Sequence, residues 1–95
     1  MPWPQKEHSA TIGAMPRTSG KHDKDKLLVL FGDSVRVRRK ALKMSQEALA
    51  DYAGIDRSHI GKIERGERNV TLLNMARIAE AMKCKLSEIL TDAKL

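Results

Sequence analysis

Between Ser45 and Asn69 the chain reads SQEALADYAGIDRSHIGKIERGERN, where capping residues and glycines cut the backbone into helical pieces of about eight residues. Ser45 opens the first piece, because its hydroxyl accepts from backbone N–H groups of the opening turn, and Gly54 closes it by taking the left-handed conformation. Asp56 opens the second, which is expected to run to Arg65 and stop at Gly66. Helices this short are marginal alone and gain their stability by packing one apolar face against neighbours. Ala48, Leu49 and either Tyr52 or Ala53 supply that face in the first piece, and Ile60 with Ile63 in the second.

The flanking segments provide the neighbours. Leu27, Leu28, Phe31, Val35 and Leu42 follow helical spacing and predict a first helix ending near Leu42. Thr71 caps a helix carrying Leu72, Met75, Ile78, Ala79 and Met82, and Ser87 is expected to open a short last helix with Ile89 and Leu90. No stretch has a strand pattern and none repeats. The expectation is all-α, a compact five-helix bundle over residues 26–95. Aromatic residues make up only 3% of the chain, so its core must be built from Leu, Ile, Val, Met and Ala. Residues 1–25 hold all three prolines and no apolar period, and read as a disordered or weakly ordered arm. Arg17, Lys21, Lys24 and Lys26 could carry such an arm into a nucleic-acid groove, although an inert tail is the simpler reading.

Several function classes fit poorly. Ser58 and His59 are neighbours on a helix and point about 100 degrees apart, a poor start for a nucleophile and its base. His8, His22, His59 and Cys84 lack metal-ligand spacing, and ERGER lacks the spacing and ending of a phosphate-binding loop. No catalytic residue, metal or cofactor is therefore expected, and a chain this short offers no second domain to house a small-molecule effector. Cys84, the single cysteine, cannot form an internal disulfide, and no apolar run or secretory pattern is present, so a cytoplasmic setting is expected. Eighteen Lys and Arg against twelve Asp and Glu leave a net charge of +6. That charge suits a polyanionic partner, and it equally suits plain solubility.

Two helices joined by a short turn containing Gly54 match the helix-turn-helix arrangement, whose second helix can enter the major groove of DNA. Turning each residue through about 100 degrees puts Arg57, Ser58, Gly61, Lys62 and Arg65 on one side of that helix and Ile60 and Ile63 on the other, with His59 at the flank. A guanidinium fork, a hydroxyl and an ammonium suit guanine acceptors and phosphate oxygens; an ordinary solvated helix surface would present the same groups. Gly61 costs such a helix about 1 kcal/mol relative to alanine, which either close approach to a groove or surface tolerance would explain.

Through FGxxVRxxRK, SQEALA, AGIDRSHIGKIERG and TLxxMxxIAxAM, residues Phe31 to Leu90 resemble the phage-repressor (Xre/Cro-like) helix-turn-helix family, a lambda-repressor-like DNA-binding fold. Within it, IDRSHIGKIERGERNVT is most similar to the controller proteins of bacterial restriction-modification systems, which are dimeric transcription regulators. The resemblance implies a homodimer reading a double-stranded operator. It implies that Gln46 contacts a phosphate, that Arg57, Ser58 and Lys62 face base edges, and that His59 lies near the backbone or a base. Arg68 and Asn69 would add base or phosphate contacts, and Arg39 would pair with Glu64 to set the angle of the third helix.

Leu86, Ile89 and Leu90 are candidate dimer anchors, and suit a subunit's own core equally well. The same fold also serves antitoxins that bind both a toxin and their own promoter, which leaves a protein partner open. The chain departs from the pattern at Lys43 and Lys83, where glycine is frequent, and at Arg38, often leucine, for which Leu42 is the expected packing substitute.

Overall fold

The computed structural model describes Asp23 and residues 26–95. The rest of the arm expected over residues 1–25 lies outside the described residues. Within them the chain forms α1 (Leu27–Ala41), α2 (Gln46–Ala53), α3 (Arg57–Glu64), α4 (Leu72–Ala81) and α5 (Leu86–Asp92), with no strand. The expected all-α five-helix bundle is the observed one. Asp23 belongs to this unit rather than to the arm, since its carboxylate accepts from the Leu27 and Leu28 N–H groups at 2.9 and 2.6 Å and caps α1.

Two of the expected caps form through the side chain. Ser45 accepts from Ala48 N–H at 2.9 Å and Thr71 from Asn74 N–H at 3.1 Å. Asp56 holds the N-cap position of α3, but its side chain makes no capping bond. The last helix is capped at Lys85 rather than Ser87 and starts at Leu86, because the Lys85 N–H donates to the Glu88 carboxylate at 2.8 Å and fixes the turn two residues earlier. A lysine has no acceptor, so only this half of a capping box exists.

Every helix ends in the same way. The N–H groups of Met44, Ile55, Glu67, Cys84 and Leu95 reach back five residues to the carbonyls of Arg39, Ala50, Lys62, Ala79 and Leu90. The residue before each is left-handed: Lys43, Gly54, Gly66, Lys83 and Lys94 have φ of 56°, 69°, 71°, 56° and 64°. Lys43 and Lys83 thus keep the turn a glycine would make, at the steric cost a Cβ brings to that conformation.

α1 packs on α3 and α5, α2 packs on α3 and α4, and α5 closes against α4. Phe31, Val35, Leu49, Ile60, Ile63, Ile78, Met82 and Ile89 fill the space between them. Burying a side chain such as Ile63 contributes about 1.5–3 kcal/mol, which makes this core the main source of cohesion. The expected inward face of α1 is narrower than its periodicity suggests. Phe31 and Val35 are sealed, whereas Leu27 and Leu42 remain about half exposed. Leu42 stands in the closing turn and lines a shallow groove with Met44, Tyr52 and Met82, so it is no packing substitute for Arg38. In α2 the buried partner of Leu49 is Ala53, while Tyr52 is 72% exposed.

Candidate nucleic-acid interface

α2 and α3 are joined by Gly54, Ile55 and Asp56, and Leu49 on the first meets Ile60 and Ile63 of the second in the core. That packing turns one side of α3 inward and leaves the other facing out. Arg57 and Ser58 are exposed at its first turn, and His59 and Lys62 are half-buried beside them. Arg68 and Asn69 are exposed in the segment leading to α4. The structure therefore brings Arg57, Ser58 and Lys62 onto one helix face and leaves Arg68 and Asn69 beyond its far end. The Nε2 of His59 is shielded and has no hydrogen-bond partner among the described residues.

The far end of α3 is held differently. Arg39 on α1 and Glu64 on α3 make a paired contact, Nε to Oε2 at 2.6 Å and Nη2 to Oε1 at 3.0 Å, with side chains 9% and 2% exposed. The Nη1 of Arg39 also donates to the Met44 carbonyl at 2.8 Å, immediately ahead of the α2 cap. One guanidinium thus ties together α1, the start of α2 and the end of α3. A buried pair with its fork filled in this way holds orientation even where it adds little net stability.

Gln46 joins the same cluster, its Nε2 donating to Glu64 Oε1 at 3.0 Å. A carboxylate only accepts, so the pair decides which end of the Gln46 amide faces Glu64. The family resemblance implied only a phosphate contact for Gln46; this inward bond was missed because its partner lies far away in the chain. Local spacing carries no signal for it.

Gly61 falls on the outward side by angle yet is buried, and a Cβ there would stand 3.2 Å from Arg65 Nη1 and 3.8 Å from Gln46 Oε1. Its cover is the far end of the exposed Arg65 side chain and, at ordinary van der Waals distance, the Gln46 amide. Arg65 bends back to Glu67 at 2.9 Å, a hydrogen bond that holds the Glu67 carboxyl below its ordinary range and raises the Arg65 guanidinium. Both side chains are exposed, so the pair is screened by solvent and salt.

Gly32, and Gly66 beyond its expected part as a helix stop, set the seat of α3. A Cβ on Gly32 of α1 would overlap the Ile63 carbonyl oxygen and lie 2.7 Å from that of Glu64. A Cβ on Gly66 would lie 2.7 to 2.9 Å from Val29. α1 therefore meets the end of α3 almost backbone to backbone, at a distance only glycine permits. A glycine on a helix face, as in FGxxV, was the available sign.

Ile89 is fully buried within its own subunit, which removes it from the dimer anchors; Leu86 and Leu90 are half-buried against the same core. Cys84 is half-buried near the end of α4, and burial pushes its thiol up, toward the protonated form. No cluster of metal-ligating side chains occurs among the described residues, and no described helix is long and apolar enough to cross a membrane.

Comparison with known proteins adds four findings. A helix-turn-helix family model matches residues 35–89. The control protein C.SmaI of Serratia marcescens is 39% identical over 62 residues, spanning 65% of this chain and 74% of its own length. Among solved structures, the restriction-modification controller protein C.AhdI of Aeromonas hydrophila superposes with a TM-score of 0.65 at 45% identity, covering 65% of this chain and 94% of that one. The controller C.Esp1396I, solved as a tetramer on its natural 35-base-pair operator, matches with a TM-score of 0.64 at 25% identity, over 73% of this chain and 96% of that one.

Proposed function

The chain belongs to the helix-turn-helix family, alongside its restriction-modification control proteins, and we propose that it is a sequence-specific, double-stranded DNA-binding transcription regulator acting as a homodimer. Residues 26–95, with the Asp23 cap on α1, form its DNA-binding domain. The observation that carries this reading is the division of α3, which exposes Arg57 and Ser58 at one end while Arg39 and Glu64 lock the other.

In this reading α3 lies in the major groove. Arg57 offers its fork to a guanine, and Ser58 and Lys62 meet neighbouring base edges. His59 stands at the margin of the groove, and Arg68 and Asn69 meet the backbone or a base beyond α3. Gln46, at the start of α2, contacts a phosphate, where the positive end of the helix favours an anion. The partner surface draws on Leu86 and Leu90 rather than on Ile89. Regulation follows from occupancy, without catalysis and in the cytoplasm: a dimer over a promoter excludes polymerase, and one just upstream of it can recruit polymerase.

Selection of bound duplexes from a random pool tests this directly. The expected product is a palindrome whose half-sites lie about one helical turn, roughly 34 Å, apart. A pool with no enriched sequence would sink the reading and turn attention to a protein partner. Sedimentation at micromolar concentration tests the dimer, and a strict monomer there would contradict it.

A further inference from the structure

The two flanks of α1 differ in chemistry. Gly32 backs onto the end of α3, while the Ser34 hydroxyl donates to the Ile89 carbonyl of α5 at 2.9 Å. At about 100 degrees per residue, Arg36 and Lys40 stand about 40 and 80 degrees round from Gly32, and about 160 and 120 degrees from Ser34. They therefore occupy the flank beside α3. The flank beside α5 carries Leu30, Val37 and Ala41, which line a groove with Ala93, Lys94 and the Arg38–Asp92 ion pair, so its one arginine is already neutralised.

Lys43 extends the basic flank beyond the helix. It occupies the left-handed turn between α1 and the Ser45 cap, and the bond from Arg39 to the Met44 carbonyl fastens that turn beside Gln46. Arg36, Lys40 and Lys43 are all exposed. Arg36 is shared with Asp33 at 2.8 Å, in a solvent-exposed pair, whereas Lys40 and Lys43 form no ion pair among the described residues. No acidic residue follows Asp33 on α1.

We infer that Arg36, Lys40 and Lys43 form a phosphate-binding track along α1, which continues the backbone contact begun at the start of α2 and grips DNA without reading bases. The inference rests on the DNA-binding reading above. Its chemistry is charge neutralisation: each engaged lysine displaces counterions from the duplex, which steepens the salt dependence without changing sequence preference.

The test is a salt titration of binding, by fluorescence anisotropy, to the pool-selected duplex and to a scrambled duplex of the same length. The full chain is compared with Lys40→Gln/Lys43→Gly and with a control of equal charge, Lys83→Gly/Lys94→Gly. The first variant should flatten the log–log salt slope by about 1.8 and weaken both duplexes by roughly tenfold. The control should stay within about twofold of wild type on both. Because glycine suits the left-handed turn at position 43, Lys43→Gly alone should melt above wild type, so its weaker binding cannot arise from unfolding.

An unchanged slope in the first variant would overturn the track. So would an equal loss in the control, which would trace the effect to net charge alone. A wild-type chain that binds neither duplex would instead overturn the DNA-binding reading, and this inference with it.

Discussion

At its C-terminal end α3 presses so closely on α1 that a methyl group on Gly32 would strike two carbonyl oxygens, while at its N-terminal end Arg57 and Ser58 stand in solvent. The closed end is fixed by the Arg39 and Glu64 pair and by glycines at the contact, so a change there must disturb the backbone. The open end holds side chains that can be exchanged without moving anything beneath them. One helix thereby keeps the requirements of aiming apart from those of reading.

The contrast breaks most plainly at Glu64. Glu64→Ala leaves the Arg39 guanidinium buried and unpaired, and should cost about 3 to 5 kcal/mol in urea unfolding. A loss under about 1 kcal/mol would mean that the closed end is not the anchor. Gly32→Ala should follow, at about 1 to 3 kcal/mol, as α1 is forced away from Ile63 and Glu64. Ser45→Ala removes the cap on the Ala48 N–H and should lower stability by about 1 kcal/mol in the same measurement.

Arg57→Ala should change stability least, within about 0.5 kcal/mol. Its effect belongs to binding, a loss of discrimination at one base pair of about 1 to 3 kcal/mol, read by comparing operator variants. Gln46→Ala should instead weaken all sequences alike. If Arg57→Ala unfolded the protein as readily as Gly32→Ala, the separation between the two ends would be lost.

What could be read in advance follows from how local each feature is. The caps at Ser45 and Thr71 and the stop at Gly54 act within one turn, so residue identity was enough to place them. Leu42 and Ile89 show the limit. Periodicity gives the direction a side chain points, but not how far the covering helices extend, so Leu42 was overcommitted to the interior, while Ile89 was left open between a partner and its own core until its burial placed it in the core.

The site divides in the same way. Arg57, Ser58 and Lys62 on one face of α3 followed from angle alone, and the pairing of Arg39 with Glu64 was available only through family resemblance. The inward bond of Gln46 and the seat at Gly32 and Gly66 arise from contacts between distant segments, which no single stretch of chain records.

The bond from Gln46 to Glu64 also bears on how quickly and tightly a ligand can be held. A long side chain immobilised only on association forfeits about 0.5 to 1.5 kcal/mol of rotamer entropy at that moment. Gln46 has already given up much of that freedom on folding, so under the proposed DNA-binding reading a phosphate at α2 would meet an amide that is preorganised.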